Sequence, residues 1–393
     1  MTIVTGGCGF IGSNYVRQAI EKGEKVLVFD ALTYAGRIEN IQEHLSQKVI
    51  YQPVFGSLPR RLSIECAECS DSRPAGNDKS IEGLFVEKLF TTDQTEDVLT
   101  EWLESESQLL FLLADVSNIE VWQTILPYFQ TVIHFAAETH VDRSILSAEP
   151  FIFSDVHGTF AILDAIRKSS WKGRLLHVST DEVYGEAKDE PFTEDSPLQP
   201  RNPYSVAKTS ADRMVASFVH TYGIDAVIVR PSNNFGPHQY PEKLIPLMTI
   251  RALLNQPLPI YGDGLQERDW LFVKDSIAGV RAAVEKGRSG EVYNLGGGSP
   301  QKNIDVVKKI LSLIGRPESL IKHVKDRPGH DRKYWLDFGK AERELGWKPE
   351  ADFDQALEET VNWYLANKDW WKTVLEADQE FKAFFQAWYQ AGA

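Results

Sequence analysis

Apolar residues in this chain gather into short continuous runs separated by polar and glycine-rich punctuation. Such runs recur at Ile3-Val4, Val26-Leu27-Val28-Phe29, Leu109-Leu110-Phe111-Leu112-Leu113, Val132-Ile133, Leu175-Leu176 and Ala226-Val227-Ile228-Val229. Uninterrupted apolarity over a few residues is the mark of strands covered on both faces, as in a parallel sheet. Between them the spacing turns helical, at about residues 10–21, 151–167 and 204–222. Strands alternating with helices predict an α/β chain built on a doubly wound parallel sheet.

The rhythm breaks in two places. A compact strand–helix–strand unit needs about 30 residues, so the irregular stretch of roughly 48–108 reads as an insertion after the second strand and helix. It contains a candidate strand at Leu84-Phe85-Val86 and a candidate helix with Val98, Leu99, Trp102 and Leu103 on one face. From about residue 234 the chain becomes richer in proline, glycine and aromatics. We therefore expect a dinucleotide-binding domain over 1–233 and a smaller, mainly C-terminal substrate-binding lobe over 234–393, partly interleaved with it. The aromatic residues Trp363, Tyr364, Trp370 and Trp371, and the stretch from Phe381 to Tyr389, suit packing or subunit contact.

Composition narrows the partners. With 42 Lys and Arg against 56 Asp and Glu, the 393 residues carry a net charge of −14, which argues against nucleic-acid or anionic-membrane binding. An anionic substrate then needs local cations, for which Lys243, Arg251, Arg268, Arg327 and Arg332 are candidates. Three cysteines argue against a disulfide framework and for a reducing cytoplasm. The opening strand leaves no room for a signal peptide, and no apolar run reaches membrane-spanning length. Cys66-Ala67-Glu68-Cys69 has zinc-knuckle spacing, but no second Cys/His pair lies near, so no metal is expected.

The chemistry begins at Thr5-Gly6-Gly7-Cys8-Gly9-Phe10-Ile11-Gly12, which joins the first strand to the first helix. Glycines here let the backbone approach a pyrophosphate, which the helix N-terminus stabilises. Asp30 closes the second strand, where a carboxylate accepts hydrogen bonds from a ribose diol. That favours NAD over its 2′-phosphorylated relative and makes the fold Rossmann-type. Small residues Ala136 and Ala137 end another strand and permit close cofactor approach. Tyr204 and Lys208, four apart, share one helical face, where the ammonium lowers the phenol's pKa and makes tyrosinate a usable base. Ser179-Thr180-Asp181-Glu182 follows the strand of Leu175-Leu176. Alone it reads as an acidic turn, but beyond a parallel strand it can aim two carboxylates into a crevice.

Together, the Gly6/Gly9/Gly12 loop, the Thr180/Tyr204/Lys208 set and the divided C-terminal half resemble the extended short-chain dehydrogenase/reductase superfamily, whose members act on nucleotide sugars. Ser179-Thr180-Asp181-Glu182-Val183-Tyr184-Gly185 resembles the signature of its dTDP-glucose 4,6-dehydratase family. So do Asp30-Ala31-Leu32-Thr33-Tyr34-Ala35-Gly36, His140-Val141-Asp142-Arg143-Ser144, Ser232-Asn233-Asn234-Phe235-Gly236-Pro237, Arg268-Asp269-Trp270 and Asp326-Arg327-Pro328-Gly329-His330-Asp331. The resemblance implies a redox-neutral lyase with tightly bound NAD, regenerated in each turnover, acting on a nucleoside-diphosphate hexose as a cytoplasmic homodimer. Tyr204, Lys208 and Thr180 would oxidise C4, Glu182 would remove the C5 proton, and Asp181 would protonate the departing 6-hydroxyl.

Position by position, the implied cofactor contacts are Gly6, Gly9, Phe10, Ile11, Gly12, Asp30, Ala31, Leu32, Thr33, Asp115, Val116, Ala136, Ala137, Ser154, Tyr204, Lys208 and Asn234. The implied substrate contacts are Thr139, Asn233, Lys243, Leu244, Pro259, Tyr261, Arg268, Asn303, Arg327 and His330. Ala31 departs from the family's lysine, and Phe153-Ser154-Asp155-Val156-His157 from its Glu-Thr-Asn-Ile-Val. A UDP- or CDP-hexose substrate, or a non-catalytic nucleotide-sugar or NAD-binding regulator, are the alternatives.

Overall fold

The computed structural model describes residues 1–45, 48–51, 65–66, 85–86, 88–90 and 94–377, which divide into two compact units. One comprises 1–179, 206–228 and 283–291, and the other 180–205, 229–282 and 292–393.

The first unit is built on a parallel sheet. Thr2–Thr5 lies at its centre, flanked by Val26–Asp30 on one side and Thr131–His134 on the other. Beyond Val26–Asp30 come Leu109–Leu113, Lys48–Tyr51 and Lys88–Phe90, and beyond Thr131–His134 come Arg174–Val178 and Ala226–Pro231. Each residue of Val26–Asp30 and Leu109–Leu113 is buried, as the continuous apolar runs Val26–Phe29 and Leu109–Leu113 require. The chain leaves the central strand on opposite sides of the sheet, which opens a crevice at the strands' C-terminal ends between Thr2–Thr5 and Thr131–His134.

The stretch of 48–108 therefore widens the sheet by two strands. It also supplies the helix Thr95–Glu104, whose Val98, Leu99 and Trp102 are buried while Leu103 is half-buried. Lys25 ends that helix by donating to the carbonyls of Trp102, Leu103 and Ser105 at 2.8, 2.9 and 2.6 Å. Of the candidate strand, Phe85–Val86 forms and pairs with Glu65–Cys66. Cys69 lies outside the described residues, and among those described no His/Cys/Asp/Glu cluster could hold a metal.

The helix expected over 151–167 is interrupted. Ile152–His157 forms a π-helical turn, and regular helix resumes at Gly158–Lys168. The extra residue in the wider turn carries Asp155 to the buried side, and such turns are frequent at functional sites. Pro203–Tyr222 is one continuous helix.

In the second unit Asn233–Phe235 pairs in parallel with Glu267–Phe272, which pairs antiparallel with Pro300–Lys302. A separate two-stranded pair joins Leu258–Tyr261 to Ile321–Val324. The aromatic C-terminus packs here. Tyr364 and Trp371 are buried with Ile250, the Tyr364 hydroxyl donates to the Gln239 carbonyl at 2.6 Å, and Trp371 Nε1 donates to the Tyr364 carbonyl. Phe381 and Tyr389 lie outside the described residues. Among the described residues no helix is long and apolar enough to cross a membrane.

Candidate active site

The first unit holds a cradle for a dinucleotide. Gly6 has φ +65°, and a Cβ there would sit 2.7 Å from the Ala136 nitrogen. A Cβ on Gly12 would lie 2.2 Å from the Gly6 carbonyl oxygen. Glycine is thus required at both positions, one for the turn and one for the closeness of helix to loop. The helix Phe10–Glu21 has no side-chain cap at Gly9, which leaves its first N–H groups for an anion. Asp30 Oδ2 accepts from the Cys8 N–H at 2.8 Å and Oδ1 from the Leu32 N–H at 2.7 Å. Those bonds fix the carboxylate at the strand end, and each oxygen keeps a second lone pair for a ribose hydroxyl. Asp115 Oδ1 accepts from the Ser117 N–H, and Val116 packs where Gly158 leaves room. These residues fit an NAD-type cofactor.

Beneath this cradle runs a buried chain of hydrogen bonds. The Ala136 N–H donates to Thr5 Oγ1 at 3.1 Å, and Thr5 Oγ1 lies 2.7 Å from His134 Nδ1. His134 Nε2 is 3.2 Å from Thr159 Oγ1, whose proton goes to the Asp155 carbonyl at 2.6 Å. Since Thr159 spends its proton there, His134 must donate from Nε2 and accept at Nδ1 from Thr5. Burial lowers the imidazole to about 3, and the Lys208 charge adds to this, so the ring is neutral.

Lys208 is buried on the first unit's portion of the long helix, one turn after Tyr204, and its Nζ donates to the Val178 carbonyl at 2.7 Å. Burial lowers its pKa, while the Asp155 and Asp212 carboxyls raise it again. Asp155 is 1% exposed. Its Oδ1 accepts from the Glu138 N–H at 2.8 Å, and burial raises the carboxyl to about 7 against the opposing pull of Lys208.

The second unit holds the carboxyl pair. Asp181–Tyr184 is a single 3₁₀ turn started by Thr180, whose Oγ1 accepts from the Glu182 N–H. Both carboxyls are buried. Thr180 Oγ1 also lies 3.1 Å from Asp181 Oδ1, and Asp181 Oδ2 has no protein partner. Burial, reinforced by the neighbouring Glu182 charge, pushes Asp181 well above the usual carboxylate range. Glu182 sits differently, because its Oε2 accepts from Asn202 Nδ2 at 3.1 Å and faces the Tyr334 hydroxyl at 3.4 Å. The same Asn202 accepts from the Ser205 N–H through Oδ1 at 2.8 Å, so the start of the Tyr204 helix and the Glu182 carboxylate share one anchor. Two adjacent carboxyls in unlike surroundings can hold opposite protonation states, as an acid and a base must.

Around them lies a cationic cluster. Arg268 is buried, spends N–H groups on the Glu267 and Asp331 carbonyls, and stands 4.4 Å from the Tyr334 ring centre. Burial lowers its pKa, and the Arg327 charge adds to that. The two guanidinium groups also help hold His330 neutral, lowered to about 3 chiefly by burial, while its Nδ1 meets Asp326 Oδ1 at 2.6 Å. Tyr261 meets the His330 ring edge-on at 5.8 Å, and Pro259 precedes it on the same strand. Gln266 ties this corner together, bonding Asp326 through its side chain and the Asn303 N–H through its carbonyl. Two guanidinium groups close enough for the charge of one to lower the pKa of the other suit a diphosphate.

The structure thus brings Arg268, Arg327, His330, Tyr261 and Asn303 into one region of the second unit. Asn233 and Asn234 lie on the strand paired with Trp270 and Leu271, each with a buried Oδ1 that has no protein partner. Lys243 precedes the helix Leu244–Leu253 and is half-buried, as is Leu244. Gly6 through Ala137, Ser154 and Lys208 belong to the first unit, as does the exposed Thr139. Sequence reasoning missed Asn202 and Tyr334, and named Asp331 and Asp155 only as members of motifs, without a role. Asn202 carried a signal, because Asn-Pro before Tyr204 marks a helix start. Tyr334 and Asp331 carried none by spacing.

A family model described as GDP-mannose 4,6 dehydratase matches residues 80–360. The chain is 39% identical, over 95% of each sequence, to the dTDP-glucose 4,6-dehydratase of Xanthomonas campestris pv. campestris strain B100. A crystal structure of a double mutant of DesIV, the dTDP-glucose 4,6-dehydratase of Streptomyces venezuelae, with NAD bound, superposes with a TM-score of 0.78 at 33% identity, covering 95% of this chain and 99% of its own. A UDP-glucose 4-epimerase from Thermotoga maritima matches more distantly, with a TM-score of 0.73 at 26% identity, over 94% of this chain and 100% of its own.

Proposed function

This chain belongs to the dTDP-glucose 4,6-dehydratase family, and we propose that it uses Thr180, Asp181, Glu182, Tyr204 and Lys208 to convert dTDP-glucose to dTDP-4-keto-6-deoxyglucose. The observation that carries this reading is the buried carboxyl pair, with Asp181 raised above the usual carboxylate range by burial and the neighbouring Glu182 charge, and Glu182 accepting from Asn202. An epimerase needs only hydride transfer and has no use for such an acid–base pair.

Bound NAD supplies the acceptor and donor of the hydride that leaves C4 and arrives at C6. Tyr204, with Lys208 one turn on along the same helix, takes the proton of the 4-hydroxyl, which Thr180 orients. The resulting ketone acidifies the hydrogen at C5, and Glu182 removes it. Asp181 gives its proton to the 6-hydroxyl, which departs as water. Glu182 then returns a proton to C5. Gly6, Gly9 and Gly12 would cradle the cofactor pyrophosphate and Asp30 would hold its ribose, with Ser154 and Asn234 as further cofactor contacts. Arg268, Arg327 and Lys243 hold the substrate diphosphate, with Asn233, Asn303, Tyr261 and His330 around the nucleoside and sugar.

We read the enzyme as cytoplasmic and homodimeric. Cys8, buried as a free thiol, suits a reducing compartment. Ile152, Phe153 and Leu146 expose 49, 57 and 59% of their surface on the first unit, which suits burial against a second copy. A second substrate reading, a hexose on another nucleotide, is favoured by the GDP-mannose description of the family model. The test is to incubate the purified protein with a panel of nucleoside-diphosphate hexoses. A base-labile 4-keto sugar from dTDP-glucose at the highest kcat/KM supports the proposal, and its formation from none of them overturns it.

A further inference from the structure

In the first unit, the loop of residues 31–36 leaves the second strand and folds back onto the glycine turn. Asp30 Oδ1 accepts from the Leu32 N–H at 2.7 Å, and Leu32 takes the left-handed conformation at φ +50°, uncommon for a leucine. Just past the loop, the Arg37 N–H and Asn40 Nδ2 both donate to the Cys8 carbonyl at 2.9 Å, while the Cys8 N–H donates to Asp30 Oδ2. Both ends of the loop are thus pinned to the glycine turn. Its middle is held from elsewhere. The Arg143 guanidinium lies 3.9 Å from the centre of the Tyr34 ring. Arg143 stands on the short helix Val141–Leu146, a few residues beyond Ala136 and Ala137.

These two segments do not leave adjacent strands. The loop follows Val26–Asp30 and the short helix follows Thr131–His134, with Thr2–Thr5 between the two strands. Strands on either side of a central one lie about 10 Å apart, two spacings of a sheet. All three run in parallel, so both segments emerge at the end where Thr2–Thr5 enters the glycine loop. A contact between them has to pass over that loop. We propose that Tyr34 and Arg143 form a strap across the dinucleotide cradle, a pair of positioning residues that retain bound NAD by slowing its release. This rests on the reading of the cradle as the NAD site. Neither side chain is among the cofactor contacts that the family resemblance implies. With Ala31 where the family has a lysine, residues 31–36 carry no cation, and Arg143 brings one to the strap. A guanidinium over an aromatic face is attracted to it more strongly as water is excluded, and both side chains are half-buried. The strap has to part before a cofactor beneath it can leave. A cofactor regenerated in each turnover has no need to leave, so a closed strap does not hinder the cycle.

The test is the rate at which the full-length protein, loaded with radiolabelled NAD, loses its label into an excess of unlabelled NAD. Tyr34→Leu and Arg143→Met should each release the label about five- to thirtyfold faster than the wild type, the effect of losing a partly desolvated cation–π contact. Tyr34→Phe keeps the ring face and should release it at the wild-type rate. The double variant Tyr34→Leu/Arg143→Met should be no faster than either single one, because each change removes the same contact. Melting temperatures of the cofactor-free variants should match that of the wild type. Release at the wild-type rate from both single variants would overturn the proposal, as would a double variant accelerated by the product of the two single effects. A lowered melting temperature without faster release would overturn it too, since that marks a merely structural contact. Should Arg143→Met not fold, Arg143→Lys, which keeps the charge but loses the planar stacking face, takes its place and should still release NAD faster. If the wild type binds no NAD, the reading of the cradle fails, whereas wild-type retention with unchanged variants sinks only the strap.

Discussion

On the proposed mechanism, replacing Glu182 with glutamine removes the base while leaving its surroundings nearly intact. The amide oxygen can still accept from Asn202 Nδ2, now 3.1 Å from Oε2, so the turn and the start of the Tyr204 helix keep their anchor. What is lost is the acceptor for the C5 proton. A positioned general base contributes about 10²–10⁴ in rate, or roughly 3–5 kcal/mol of barrier. Binding should not weaken. Removing a negative charge near Arg268 takes away a competitor for that guanidinium, and the diphosphate should be held as well or better. So kcat should fall by at least a hundredfold while KM stays level or drops, the signature of an interaction made only in the transition state. Oxidation at C4 precedes the lost step. On rapid mixing with dTDP-glucose, reduced nicotinamide absorbance should therefore rise and persist, whereas the wild type shows only a transient. Complete dehydration by the variant at the wild-type rate would refute the assignment of Glu182 as base.

Asp181→Asn should abolish loss of the 6-hydroxyl yet stabilise the fold at neutral pH. The folded pKa lies above the unfolded one, so the native state binds the proton more tightly and stability falls as pH rises from the ordinary carboxylate range towards the folded value. Denaturant melts from pH 4 to 8 should show the variant's advantage growing with pH, and a constant or shrinking gap contradicts the buried, protonated acid. For His134 the sign is opposite, because the folded pKa of about 3 lies below the unfolded value. Its stability contribution is full above pH 6.5 and declines as pH falls, by up to about 2 kcal/mol between pH 6.5 and 5. His134→Asn should remove that slope, and parallel stability curves for the two proteins would rule it out. Gly12→Ala forces a methyl to within 2.2 Å of the Gly6 carbonyl oxygen. Overpacking of that kind costs about 1–3 kcal/mol, which calorimetry should read as weaker NAD binding or a lower melting temperature. Unchanged values of both would show that the loop does not cradle the cofactor.

What the sequence revealed was local. The glycine loop, Asp30 and the Tyr204/Lys208 spacing are legible because each depends on neighbours within a few residues or on a regular helix. The continuous apolar runs placed the inner strands for the same reason. Less legible were features set by distant partners. Tyr334 reaches Glu182 across 152 residues, and Lys25 ends a helix 77 residues away. Neither distance leaves a periodic trace. Asp155 was hidden by a different cause. In an ordinary helix its neighbours predict nothing special, and only the extra residue of the π-helical turn carries it inward. The strands Lys48–Tyr51 and Lys88–Phe90 sit within a stretch that reads as an insertion, because their alternation is short and their pairing is set at a distance, Lys48–Tyr51 on Leu109–Leu113 and Lys88–Phe90 on Lys48–Tyr51.

The central claim is that one carboxyl pair turns a hydride-transfer fold into a dehydratase. Incubation of the purified protein, with its NAD, with dTDP-glucose deuterated at C4 tests it most directly. The account predicts a 4-keto-6-deoxy sugar carrying that deuterium at C6 and one solvent-derived proton at C5. A 4-keto sugar that still bears its 6-hydroxyl, or dTDP-galactose as the product, would contradict it.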